Sequence, residues 1–243
     1  MSNNFRVISP IPTVSYFLLP YKRNQDRVRI YNDYLGTIYT ACVIDGWHNS
    51  ELLPGNKEGQ QVTELVLNTF PQMFLKSSIK NYSGKAQFIA DLLNKEILER
   101  FSKHVACVGT FVFKYSDKKI IATIGTITTL VLQNDAWIKP KEIKDNKLDW
   151  KTNESGSATF FGRGELKGNK KYSNRVDTVV CSSSSPVLIF TDGADDVLDY
   201  KKLPLLLQED AISKSGVFMK NLQQKILRHQ DMQRDDITAL LAL

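Results

Sequence analysis

Three acidic elements sit at the ends of apolar, strand-like runs. They read Ala41-Cys42-Val43-Ile44-Asp45-Gly46, Val187-Leu188-Ile189-Phe190-Thr191-Asp192-Gly193 and Arg234-Asp235-Asp236-Ile237-Thr238. An apolar β run with a carboxylate at its tip delivers that carboxylate to the rim of a core. Asn24-Gln25-Asp26 adds a fourth acidic element ahead of another strand. Taken singly, each Asp-Gly pair reads as a turn and Asp235-Asp236 as a solvated acidic pair. Taken together, converging carboxylates with nothing soft nearby suit a hard divalent cation. Glycine beside the acid lets a backbone carbonyl approach a ligand closely. A two-metal site needs one bridging carboxylate and several single donors. It polarises a phosphoryl group and lowers the pKa of water, so no Ser, Cys or His nucleophile is required.

The elements that must position these acids follow from periodicity. Residues 5–19 read as a strand, 22–27 as a polar basic stretch, and 37–44 as the strand ending at Asp45. A loop over 49–60 precedes an apolar helical stripe, Val62 to Phe70. A second helix has Ser83 as its expected N-cap and Phe88, Ile89, Leu92, Leu93, Ile97, Leu98 and Phe101 at helical spacing. Val105 to Tyr115 and Ile120 to Ile124 form a hairpin around Ser116-Asp117-Lys118-Lys119, and Thr126 to Leu132 a further strand before the turn Gln133-Asn134-Asp135. The charged, glycine-containing stretch 139–174 reads as a flap or long connection, with Trp137 and Trp150 flanking it. Helical stretches around Asp196–Leu207 and Val217–His229 precede a last strand, Ile237 to Leu243. Strands cluster, with a helix pair between them. The order predicts an α+β domain with helices covering sheets, not alternating βαβ units.

Composition narrows the class. The chain has 243 residues, 42% of them hydrophobic, which allows a sizeable core in one domain and excludes disorder. No apolar run reaches the roughly 18–20 residues that span a bilayer. The first residues lack a basic stretch followed by an apolar one, so no secretory leader is expected. Cys42, Cys107 and Cys181 are odd in number and lie in strand-like runs. They read as buried, reduced thiols of a cytosolic protein. No Cys/His cluster has zinc spacing, and His104 and His229 are isolated. The net charge of +6 is spread rather than gathered in a stripe, which reads first as a solvated lysine-rich surface, with nucleic acid, a membrane surface or a phosphorylated partner as the alternatives the charge allows. Gly162-Arg163-Gly164 and Gly168-Asn169-Lys170-Lys171 read as exposed loops.

In order and spacing, these motifs resemble the metal-dependent protein phosphatases of the type 2C serine/threonine class. That family's pattern is an Asn-Glu-Asp-like element, a strand ending Asp-Gly, Gly-Ser-Thr, Gly-Asp-Ser, Ser-Asp-Gly and a final Asp-Asn or Asp-Asp. The places here read Asn24-Gln25-Asp26, Val43-Ile44-Asp45-Gly46, Val108-Gly109-Thr110, Ile124-Gly125-Thr126, Thr191-Asp192-Gly193 and Asp235-Asp236-Ile237-Thr238. The resemblance spans residues 17–243.

The resemblance implies a central antiparallel β-sandwich flanked by helices on both outer faces, as one domain over 1–243. It implies that Asp45 bridges two ions, Mn²⁺ or Mg²⁺, with the Gly46 carbonyl on one of them. Asp192 and Asp235 would hold the second, with Asp235 preferred over Asp236, and Asp26 would act through a metal-bound water. Thr126 replaces the acid of Gly-Asp-Ser, which implies a weak or absent third metal site. Trp47 stands where some members carry a histidine, with His48 one residue later. Tyr21 occupies the place closest to the family's phosphate-gripping arginine, leaving Lys22 and Arg23 as nearby cations. The implied activity is hydrolysis of phosphoserine or phosphothreonine in a phosphorylated protein, by a cytoplasmic monomer with no membrane or nucleic-acid partner. The alternative is a catalytically weak relative that binds a phosphorylated partner or acts as a scaffold.

Overall fold

Strand alternation sorts the apolar residues of this chain into three separate cores. A computed structural model describes residues 7–20, 26–33, 38–48, 58–101, 105–125, 127–139, 158–159, 161–162, 172–173, 175–194, 197–198, 203, 211–229 and 235–243. One sheet holds β1 (Ile8–Ile11), β2 (Val14–Leu19), β7 (Thr128–Gln133), β8 (Ala136–Ile138), β13 (Val187–Phe190) and β14 (Ile237–Ala242), in the order β1-β2-β14-β13-β7-β8. The other runs β12-β6-β5-β4-β3, from β3 (Arg27–Asn32), β4 (Tyr39–His48), β5 (Val105–Lys114), β6 (Lys118–Ile124) and β12 (Asp177–Ser182). Neighbouring strands in both sheets are antiparallel.

Along β4, Tyr39, Ala41 and Val43 enter the core between the sheets, which also holds Val112, Ile121, Val131, Ile189 and Leu240. The alternate residues Cys42 and Ile44 face a second core beneath the helices α1 (Glu58–Lys76) and α2 (Tyr82–Arg100). The third core lies outside the other sheet, where Phe17, Leu188, Phe190 and Leu241 meet Phe218, Met219, Leu222 and Ile226 of α3 (Ala211–Leu227). The period of two in each strand therefore produces four layers: helices, sheet, sheet, helix. This is the α+β sandwich expected from the sequence. Among the described residues, no helix is long and apolar enough to cross a membrane.

Several boundaries differ from the sequence reading. The first strand is a hairpin, β1 and β2, turning at residues 12–13. The first helix is 19 residues long and runs through Pro71. Proline cannot donate to the carbonyl four residues back, and the hydroxyl of Tyr31 in β3 donates to that carbonyl, on Leu67, at 3.3 Å. The second helix is capped by Asn81, not Ser83. The Asn81 side chain accepts from the amides of Ser83 and Gly84 at 3.1 and 3.3 Å. The expected turn after Leu132 forms, with Asn134 and Asp135 both at positive φ, a backbone region that Asn and Asp tolerate.

Most of 139–174 and of the expected helix 196–207 lies outside the described residues. What is described includes two-residue strands β9 (Ala158–Thr159), β10 (Phe161–Gly162) and β11 (Tyr172–Ser173). In β10, Phe161 pairs with Cys107, whose partner on the other side is Gly46. Part of the segment thus runs beside the strand next to Asp45-Gly46. Trp137 packs tilted against Phe218 of α3, at 5.9 Å between ring centroids.

Candidate metal centre

Asp45 continues the inward parity of Tyr39, Ala41 and Val43, but it stands past the end of the inter-sheet core. Its carboxyl emerges at the rim between the two sheets. Asp26 immediately precedes β3, whose first residue, Arg27, pairs with Ile44. On the opposite sheet, Asp192 opens a short 3-10 turn after β13, and Asp235 and Asp236 lead into β14. β13 and β14 are neighbours, with Phe190 opposite Ala239, so their acidic ends lie side by side. Gly193 permits this: a Cβ there would sit 2.3 Å from the Asp236 carbonyl oxygen. Only a residue without a side chain allows that approach.

Asp26 is 2% exposed. Its Oδ2 accepts from Thr191 Oγ1 at 2.9 Å and from Thr238 Oγ1 at 2.8 Å. Burial pushes the Asp26 carboxyl up to about 7, the two threonine hydroxyls pull against that, and the charge of Asp236 adds to the rise. Asp45 is pushed well above the usual carboxylate range, first by burial and then by the charges of Asp26, Asp192 and Asp235. A hydrogen bond also joins Asp45 to Asp26. Like charges that cannot separate disfavour one another's ionisation. Asp26, Asp192 and Asp235, from three strand ends, thus all act on Asp45, which lies within β4 three residues before its end.

The donors fit a hard divalent cation in kind, being all oxygen, anionic and mutually repelling. Among the described residues, no three His, Cys, Asp or Glu side chains stand close enough together to hold a metal ion. Asp235 and Asp236 part company here. Asp235 is exposed and acts on Asp45, whereas Asp236 is 4% exposed and acts on Asp26. The Asp236 amide takes the Asp235 carboxylate as acceptor at 2.8 Å. Gly46 lies in β4 opposite Cys107.

Lys22, Arg23 and Thr126 lie outside the described residues, as do His104 and the side chains of Trp47 and His48. The cation next to Asp26 is Arg27. Its Nη1 donates to the Asp26 carbonyl at 2.7 Å, and its Nε lies 3.5 Å from Glu64 of α1. The three cysteines are buried free thiols. Burial pushes all three upward, Cys181 to about 11, so none is poised as a nucleophile.

Threonines are what the sequence reading passed over. Besides Thr191 and Thr238, Thr110 Oγ1 meets Thr123 Oγ1 at 2.9 Å and Thr129 Oγ1 at 3.2 Å, tying β5 and β6 to β7 of the other sheet. The signal was parity. Thr191 follows Val187 and Ile189, and Thr238 precedes Leu240 and Ala242, all on the inward face.

No protein-family model matches the chain, and no curated protein matches it by sequence. Solved structures do match by fold. A bacterial serine phosphatase superposes with a TM-score of 0.61 at 15% identity, covering 94% of this chain and 96% of that one. The serine/threonine phosphatase Stp1 from Staphylococcus aureus gives 0.59 at 14%, covering 94% and 93%. The catalytic domain of the serine/threonine protein phosphatase PstP, in complex with two manganese ions, gives 0.60 at 13%, covering 94% and 97%. The fold is therefore that of the type 2C-like serine/threonine phosphatases, over nearly the whole chain.

Proposed function

We propose that this protein is a metal-dependent phosphatase acting on phosphoserine or phosphothreonine in proteins. One observation carries the reading: Asp26, Asp192 and Asp235, from separate strand ends, all act on Asp45 at the rim of a phosphatase-like sandwich. Asp45 would bridge two ions, Mn²⁺ or Mg²⁺, assisted by the Gly46 carbonyl. Asp192 and Asp235 would hold the second ion, and Asp26 would act through a metal-bound water. When bound, the ions supply positive charge for the phosphoryl oxygens and activate water as the nucleophile. The chain's own residues would set the geometry, Asp45 and Asp26 coming from the sheet of β3 and β4, and Asp192 and Asp235 from the sheet of β13 and β14. On this reading the whole chain is one domain, 139–174 is a flap beside β5, and Lys22 and Arg23 meet the substrate phosphate. The protein works as a cytoplasmic monomer.

A second reading is a phosphatase-like protein that binds a phosphorylated partner without turning it over. Thr126 in place of the family's acid, and Tyr21 where the phosphate-gripping arginine would stand, motivate it. Hydrolysis of a phosphothreonine peptide in Mn²⁺, by wild type and Asp192→Ala, separates the two. The enzyme reading expects turnover that Asp192→Ala reduces at least about a hundredfold. Equal rates in the two proteins would sink it, and peptide binding without turnover would establish the second reading.

A further inference from the structure

We propose that Thr191 and Thr238 are positioning residues of this site: their hydroxyls hold Asp26 across the gap between the two sheets, against Asp45. The inference rests on the metal-dependent reading above and deepens it. Asp26 belongs to the sheet of β3 and β4, whereas both threonines belong to the sheet of β13 and β14. Both hydroxyls meet the same carboxylate oxygen, Oδ2, at 2.9 and 2.8 Å. Neither threonine takes the other oxygen, Oδ1.

The threonines are themselves fixed. The Thr238 amide donates to Thr191 Oγ1 at 2.8 Å, and the Thr191 amide donates to the Thr238 carbonyl at 3.1 Å. A hydroxyl has one proton to give. With its lone pair engaged by the Thr238 amide, Thr191 gives that proton to Asp26 at 2.9 Å in preference to the Asp236 carbonyl at 3.4 Å. Both threonine side chains are fully buried, so water does not compete for Asp26. Because Thr191 adjoins Asp192 in the chain and Thr238 lies three residues from Asp235, the same contacts fix the spacing between the acids of the two sheets. An outer group that orients a metal-facing carboxylate commonly changes metal affinity about 10–100-fold when removed.

Valine keeps the shape of threonine and loses the hydroxyl, and serine keeps the hydroxyl. Thr191→Val, Thr238→Val, Thr191→Ser and Thr238→Ser are each titrated with Mn²⁺ by electron paramagnetic resonance, beside wild type. Turnover of a phosphothreonine peptide is measured in parallel. Each valine variant is expected to bind Mn²⁺ about tenfold or more weakly and to lose kcat with KM unchanged, and each serine variant to restore both. Single variants leave one hydroxyl on Asp26, and circular dichroism establishes folding before each titration. Valine variants that bind Mn²⁺ as wild type does overturn the proposal and leave the phosphatase reading standing. Serine variants as impaired as the valine ones also overturn it, by showing a packing effect. Wild type that takes up no Mn²⁺ overturns the metal-dependent reading and this inference with it.

Discussion

The charged form of Asp45 gains nothing from its neighbours in the folded chain. Burial and three acidic partners all oppose its charge. A residue whose surroundings penalise it is expected to trade stability against a binding role. Asp45→Asn keeps the shape and removes the charge. In the absence of added metal we expect the variant to be more stable than wild type by about 0.5–2 kcal/mol, read from thermal or urea unfolding. It should also lose the Mn²⁺-dependent rise in melting temperature. A variant less stable than wild type would mean that Asp45 is held by favourable contacts rather than by constraint. The acids were legible in the sequence because each borders an apolar, strand-like run: Asp45 and Asp192 follow one, and Asp26 and Asp235 precede one. The threonines that hold Asp26 were not, because their role depends on which sheet faces which. Their local pattern, a β-branched polar residue at an inward position, is equally that of a strand end.

The first helix shows how a local rule is broken and compensated at the scale of an element. Pro71 leaves the Leu67 carbonyl without its helical donor, and Tyr31 supplies one from β3. Tyr31→Phe is expected to cost about 1 kcal/mol. In a Pro71→Ala background the backbone donor returns, and the same substitution should cost markedly less. A double-mutant cycle in urea measures the difference, and equal costs in both backgrounds would refute the compensation.

The end of that helix is held by a second long-range contact. Lys85, 7% exposed, donates from Nζ to the carbonyls of Ser77 at 2.8 Å and Phe74 at 3.3 Å, with the ammonium 5.1 Å from the centre of the Phe74 ring. A cation at a helix C-terminus is favourable, and two carbonyls depend on this one. Lys85→Met should destabilise the protein by about 1–3 kcal/mol and leave Mn²⁺ binding unchanged, as checked by urea unfolding and metal titration. The apolar stripe from Val62 to Phe70 made the helix legible. Its full length was not, because proline ordinarily ends a helix and only the neighbouring strand shows why this one continues. Asn81 displaced Ser83 as the cap because its side chain reaches two free amides of the first turn.

At the scale of the molecule, the buried acids of the rim, Asp26 and Asp45, and the buried Lys119 near the other end of the sandwich give the metal-free protein a pH profile with two limbs. At the acidic rim, Asp26 rises to about 7 in the fold from the usual 3.8. Between those values the folded state binds more protons than the unfolded chain, so this contribution to stability is present below about pH 4 and lost as pH rises through 7. Near the other end of β6, Lys119 is fully buried between the sheets, and its Nζ donates to the Ser185 carbonyl at 2.5 Å. Burial, aided by the charge of Lys114, pushes Lys119 down to about 7 from 10.5. Above 7 the unfolded chain binds the extra proton, so this contribution climbs with pH. The buried thiols act in the opposite sense once pH passes 9, which confines the Lys119 window to about 7–9.

Each limb is therefore read as a difference between variant and wild type. Asp26→Asn should reduce the fall between pH 4 and 7, to which Asp45 also contributes, and Lys119→Met should flatten the rise between 7 and 9. Saturating Mn²⁺ should offset the acid-side loss alone, by about 2.7 kcal/mol at a hundredfold excess over Kd, because protons compete with a cation for carboxylates and not for Lys119. Melting temperatures across pH 4–9, with and without Mn²⁺, test the three expectations together. An Mn²⁺ effect as large at pH 4 as at pH 7 would show that the ion binds somewhere other than this acidic rim.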